Sequence, residues 1–68
     1  MILVYITCTN LEEAKNIAKT VVTEKLAACA NIFPHIHSIY NWQDKLCEDK
    51  ETVLILKTLE THYEKLSL

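Results

Sequence analysis

Glu24-Lys25-Leu26-Ala27-Ala28-Cys29-Ala30-Asn31-Ile32-Phe33-Pro34 carries the chain from the end of an amphipathic helix into a strand within eleven residues. N-terminal to it, Leu11, Ala14, Ile17, Ala18, Val21, Val22 and Leu26 recur at three- and four-residue steps, the stripe of a helix with one apolar face. C-terminal to it the period changes to two. Ala28, Ala30, Ile32, Pro34, Ile36, Ser38 and Tyr40 alternate with Cys29, Asn31, Phe33, His35, His37 and Ile39, which predicts a long strand over 28–40. Pro34 cannot donate a ladder hydrogen bond, so this strand is expected at a sheet edge, or bulged there.

Working outward, Asn10 precedes the helical stripe as an N-cap, with Glu13 at capping-box spacing and Glu12 beside it at the positive end of the helix dipole. The helix is predicted to end near Lys25, with lysines toward its negative end. Upstream, residues 2–7 form a continuous β-branched and aromatic run, read as a strand buried on both faces. Downstream, Asn41-Trp42-Gln43-Asp44 forms a turn and a second long strand runs over 46–59, with Val53-Leu54-Ile55-Leu56 as its buried centre. Before that centre, Glu48-Asp49-Lys50-Glu51 must be solvated or paired with another chain. Thr61-His62-Tyr63-Glu64 repeats the capping-box pattern and opens a second helix.

The fold class is therefore α+β. Elements β-α-β-β-α are present, and one more strand would complete a ferredoxin-like βαββαβ pattern, so residues 1–68 read as a single incomplete domain, truncated after the start of the second helix. Strands one and three are expected at the centre, strand two at an edge, with a right-handed crossover through the first helix.

Composition narrows the function. Sixty-eight residues make one small domain, marginal alone, yet half of them are apolar, more than such a core needs. A net charge of −2 argues against nucleic acid or an anionic membrane as partner. No apolar run reaches the ~20 residues of a membrane span, and the first residues lack the basic region of a signal peptide. Three cysteines at wide spacing (Cys8, Cys29, Cys47) fit reduced thiols in a cytoplasmic protein, with Cys29 filling the core as a small hydrophobe. Glycine is absent, so turns must use Asn or Asp at positive φ, with Asn31, Asn41 and Asp44 as candidates.

Other functions on this topology fail on residues. An RNA-recognition sheet needs aromatic and glycine residues on its third strand, and Val53 to Thr58 has neither. A copper-chaperone loop needs two thiols where Cys8-Thr9-Asn10-Leu11 has one. No nucleophile–base pair and no phosphate-loop glycines are visible, so an enzyme is not expected.

Over nearly its whole length the chain resembles the CutA divalent-cation tolerance family. The resemblance rests on Lys25-Leu26-Ala27-Ala28-Cys29, Asn31-Ile32, Pro34, Ser38, Tyr40, Trp42, Lys45 and Lys57-Thr58, together with Thr7, Ala14, Ile17 and Ala18. One departure is Asp44, where the family usually has Gly. The resemblance implies a homotrimer in which long hairpins lengthen neighbouring sheets, a role in tolerance of copper or another divalent cation, and no demonstrated reaction. A strand of about 12 residues spans roughly 40 Å, more than one helix can cover, and Tyr40 and Trp42 at its tip suit an interface, although Trp42 could also pack on its own turn. The copper ligands attributed to bacterial members do not carry over: the first-strand cysteine position is Ile6 here, and the histidine positions fall beyond Leu68.

Among the remaining candidates, His35 and His37 lie two apart and could offer two metal ligands, or simply face solvent from an edge strand. Lys57 could hold an anion at a cleft between subunits, or be a solvated lysine at a strand end. Two other readings of the chain stand beside the scaffold: a trimeric PII-like sensor of a small anionic ligand, and a non-functional gene remnant whose first strand would expose an unpaired apolar edge.

Overall fold

The computed structural model describes residues 1–62. The order is β1 (Ile2–Cys8), α1 (Leu11–Thr23), β2 (Cys29–Trp42) and β3 (Lys45–Thr58), followed by a helical turn opening at Glu60. The strands form one antiparallel sheet in the order β1-β3-β2: β3 is central and β2 at an edge, as the apolar run of β3 and the proline of β2 predict, whereas β1, expected at the centre, is the other edge of the described sheet.

α1 covers one face of this sheet. Ala14, Ala18 and Val21 of the helix pack on Cys8, Leu54 and Leu56, with Val4, Ile6, Ala30 and Ile32 around them. The ladder explains the set: Val4 and Ala30 both oppose Leu56, and Ile6 and Ile32 both oppose Leu54. Leu54 and Leu56 are almost fully buried, each contributing about 1.5–3 kcal/mol by burial. Small alanines on α1 let the helix lie close to the sheet.

The N-cap is as read: Glu13 N donates to Asn10 Oδ1 at 2.8 Å. The Glu13 carboxylate, however, turns to Thr9, accepting from its backbone N–H at 3.1 Å and its hydroxyl at 2.8 Å. These two bonds hold the Glu13 carboxyl below its ordinary range. The helix ends at Thr23, earlier than expected, because Lys25 adopts a positive φ of 61°. Lys25 N then donates to Val22 O and Leu26 N to Val21 O, a Schellman closure in which Lys occupies the place glycine normally takes.

Three other expectations are corrected. β1 is buried on one face only: Leu3 and Tyr5 are 64% and 62% exposed, because among the described residues no layer covers the sheet opposite α1. Positive φ falls at Lys25, Gln43 and Asp44, whereas Asn31 and Asn41 stay in strand. The hairpin loop is therefore only Gln43-Asp44, both left-handed, the type I′ geometry that matches strand twist. Finally, Thr61 is already inside the helical turn rather than its cap, with His62 N donating to Leu59 O at 2.9 Å. Tyr63 and Glu64 of that pattern lie outside the described residues.

Candidate functional site

Past the helix layer β2 and β3 continue as a two-stranded arm, and they give the molecule a long axis of 40 Å against 23 and 18 Å across. The arm is positioned by a bulge. Phe33 opposes Val53 and Ile36 opposes Glu51, so Pro34 and His35 together face the single residue Thr52. Proline supplies no N–H to lose there, and Thr52 Oγ1 lies 3.5 Å from Pro34 O.

The surplus residue changes which side chains face where. Before the bulge, Ala30 and Ile32 face α1 while Cys29, Asn31 and Phe33 share the open face with Leu3, Tyr5 and Ile55. After it, Ile36, Ser38, Tyr40 and Trp42 lie on that open face, opposite Glu51, Asp49, Cys47 and Lys45. A strict alternation over 28–40 would have placed Ile36, Ser38 and Tyr40 with Ile32, under the helix. The bulge corrects that grouping.

The open face is thus one surface running from body to tip. At the body end it carries Leu3, Tyr5, Phe33 and Lys57, all exposed. In the middle, Ser38 Oγ donates to Glu51 Oε2 at 2.9 Å and Tyr40 OH donates to Asp49 Oδ2. The bond to Asp49 is the main reason the Tyr40 phenol is pushed up to about 12, with lost hydration and nearby negative charge adding to it. At the tip Trp42 is 63% exposed. The other face of the arm is also apolar in part, with Ile39 and Leu46 exposed.

His35 sits in the bulge, outside the ladder, and His37 beyond it opposes Lys50. His37 Nδ1 lies 4.0 Å from Glu48 Oε1, both side chains largely exposed. Among the described residues no group of three or more His, Cys, Asp or Glu side chains is arranged to hold a metal ion. At the first-strand position Ile6 presents hydrocarbon to the core. The donor set of the described residues therefore does not fit a closed divalent-cation site.

The cysteines divide differently from expectation. Cys8 fills the core, and burial, with the Glu13 charge second, raises its thiol pKa. Cys29 lies half-buried on the open face, its Sγ 3.9 Å from Asn31 Oδ1, because the strand begins before the bulge with odd residues outward. Cys47 is half-buried on the arm, its Sγ 3.8 Å from Lys45 O. Neither thiol bonds to a histidine among the described residues.

Thr58 is buried and donates to Leu26 O, tying β3 to the turn after α1, while Ala28 N donates to Lys57 O at 2.8 Å. Beside this junction is a shallow hollow of about 280 Å³ lined by Val22, Lys25, Ala27, Ala28, Leu59 and His62. Among the described residues no helix is long and apolar enough to cross a membrane.

The open-face role of Leu3, Tyr5 and Phe33 is what sequence reading passed over. The charged run 48–51 was visible, but its division between two faces, Asp49 and Glu51 on one and Glu48 and Lys50 on the other, follows from counting back from the Gln43-Asp44 loop at period two.

A family model described as CutA1 divalent ion tolerance protein matches residues 2–68. The chain is 47% identical over 66 residues to the chloroplastic protein CutA of Arabidopsis thaliana, covering 97% of this chain and 36% of that protein. It is 48% identical over 63 residues to the divalent-cation tolerance protein CutA of Thermus thermophilus, covering 93% of this chain and 61% of that one. The solved divalent cation tolerance protein of Thermus thermophilus superposes with a TM-score of 0.81 at 47% identity, over 94% of this chain and 62% of that chain. A PII-like protein CutA from Nostoc, solved in apo form, superposes with a TM-score of 0.73 at 32% identity, over 97% of this chain and 62% of that one. The chain thus spans between about a third and two thirds of the length of these relatives.

Proposed function

This chain belongs to the CutA1 divalent ion tolerance protein family, and from that premise we propose that it acts as a non-catalytic scaffold of divalent-cation tolerance, assembled as a homotrimer through its long hairpin. The observation that carries this reading is the open sheet face. A monomer would leave Leu3, Tyr5, Phe33, Tyr40 and Trp42 on one continuous surface in water, and contiguous apolar surface of that kind marks an interaction site.

The family's description names divalent ion tolerance, and copper or another divalent cation is the ligand of this proposal. Because the described donors do not fit a closed cation site, tolerance is assigned to the assembly and not to a metal centre within one chain. Three free cysteines are compatible with a reducing compartment, and a cytoplasmic location is part of this proposal.

Sedimentation equilibrium of the purified chain tests the scaffold. The expected result is a trimer mass that falls toward the monomer in Trp42→Ala, with far-ultraviolet circular dichroism unchanged. A monodisperse folded monomer at all concentrations would refute it.

The likeness to the PII-like protein of Nostoc favours a second reading, a trimer that senses a small anionic ligand. The hollow rimmed by Lys25 and His62 is the place to look for it. Calorimetry with copper(II), zinc(II) and adenine nucleotides separates the two readings: heat with nucleotide alone favours the sensor.

A further inference from the structure

At the end of the molecule away from the hairpin tip, the last turn of α1, the start of β2 and the segment after β3 meet around the hollow of about 280 Å³ lined by Val22, Lys25, Ala27, Ala28, Leu59 and His62. Its walls are fixed by backbone bonds. Leu26 N and Ala27 N both donate to Val21 O, Ala28 N donates to Lys57 O, and the Thr58 hydroxyl donates to Leu26 O. Four of the six lining side chains are hydrocarbon and the other two are basic. Glu24 and Glu60, the nearest acidic residues in sequence, are exposed and do not line it.

Lys25 is held in the left-handed region at φ 61°, where a Cβ is unfavourable and glycine is the usual occupant. Side chains kept in such conformations concentrate at sites that use them. The bond from Lys25 N to Val22 O needs only the backbone, so glycine would close the helix as well. What lysine adds is an ammonium group on a long apolar stem beside an apolar hollow. A second basic side chain, His62, lines the same hollow from the helical turn after β3.

We propose that this hollow binds a small aliphatic monocarboxylate, with its hydrocarbon end against Val22, Ala27, Ala28 and Leu59 and its carboxylate held by Lys25 and His62. The proposal rests on the reading of the chain as a sensor of a small anionic ligand, and it names the chemical class. The lining selects that class. Two basic side chains favour an anion, and a hydrocarbon floor favours an anion with an apolar tail over inorganic phosphate, whose oxygens would find no partners there. The hollow lies on the helix side of the sheet, so a ligand in it leaves the open face free.

The volume selects the size. About 280 Å³ is the liquid share of about nine waters at ~30 Å³ each, room for an acid of about four to six carbons. It lies at the lower end of the roughly 300–1,000 Å³ of ligand pockets, too small to enclose the base, ribose and phosphates of a nucleotide together. The hollow is shallow and Lys25 is exposed, so part of the ligand stays in water. Affinity is therefore expected on the order of millimolar, the range in which a metabolite sensor responds to abundant small acids.

Titration of the full chain with sodium isovalerate, followed by amide proton–nitrogen NMR, tests this. The expected result is a set of saturable shifts centred on the amides of Lys25 to Ala28, Leu59 and His62. Isoamyl alcohol, which lacks the charge, and acetate, which lacks the tail, each bind roughly 10-fold more weakly. Lys25→Met weakens isovalerate binding about threefold to fivefold, as expected for an exposed charge pair, and Lys25→Arg keeps it. Lys25→Gly loses binding to the same extent although its fold is the more stable, which separates loss of the ammonium from loss of structure. Circular dichroism checks that each variant is folded. Absence of saturable shifts at the hollow, equal binding by the alcohol or by acetate, or unchanged binding in Lys25→Met overturns the proposal. An adenine nucleotide that binds elsewhere on the chain would then leave the sensor reading standing, whereas binding of neither carboxylate nor nucleotide removes both.

Discussion

The same substitution, Lys to Gly, is expected to have opposite effects at two positions 10 residues apart in this chain. Lys25 sits at φ 61°, just beyond the last turn of α1, and its backbone N–H closes the helix on Val22 O. A left-handed conformation costs a residue with a Cβ about 1–2 kcal/mol. Glycine removes that cost, but it gains freedom in the unfolded chain, which takes back about 0.4–1 kcal/mol. The net expectation for Lys25→Gly is a stabilisation of about 0.5–1 kcal/mol, or roughly 2–8 °C in Tm for a domain of this size. Lys15 lies exposed in the interior of α1. There Lys15→Gly gives up helix propensity and is expected to destabilise by about 0.5–1 kcal/mol. Urea unfolding followed by circular dichroism measures both, at one fixed protein concentration because assembly shifts the midpoint by mass action. Equal signs for the two variants, or loss of stability in Lys25→Gly, would refute the assignment of a strained left-handed cap.

Other outcomes follow from the same geometry. Leu54→Ala, at the centre of the covered face, is expected to cost about 2–5 kcal/mol and leave the isolated chain unfolded by circular dichroism. Asn10→Ala removes the bond to Glu13 N and should cost about 1 kcal/mol in urea unfolding. Glu13 has its pKa lowered on folding, so its contribution is present above the unfolded carboxyl value and disappears as pH falls through the lower folded value; Glu13→Gln should remove that part of the acid dependence. Tyr40 has its pKa raised to about 12, so its bond to Asp49 supports the fold below the ordinary phenol value and is lost as pH climbs through the folded one. In an ultraviolet absorbance titration, Asp49→Asn should bring that late-titrating tyrosine back toward about 10.

Much of this was readable in the residues. Asn10 and Glu13 marked the helix start because capping chemistry is local. The run Val53 to Leu56 marked the central strand because it is apolar on both faces, and Pro34 marked an irregular edge because it lacks a donor. Other features depend on what lies across space. Leu3 and Tyr5 look like core residues in a β-branched run, and only the folded chain reveals that no described element lies over them. Lys25 and Gln43 adopt left-handed conformations without a glycine or asparagine to announce them, so the helix end was placed too late and the hairpin loop too wide. The acidic pair of the open face was visible as charge, but not its separation from Glu48 and Lys50, which needs the register.

The doubled position opposite Thr52 has a consequence for how the chain tolerates change. It works as a reading frame for the forearm. Removing His35 alone would leave Pro34 opposite Thr52 and Ile36 opposite Glu51, so the ladder would become regular and every later side chain of β2 would keep its face. Removing one residue between Ile36 and Trp42 would instead exchange faces along part of the arm, unless the bulge were given up to absorb the change. A single deletion should therefore be accepted at the bulge itself, whereas a single insertion between Ile36 and the hairpin tip should be resisted more than a paired one.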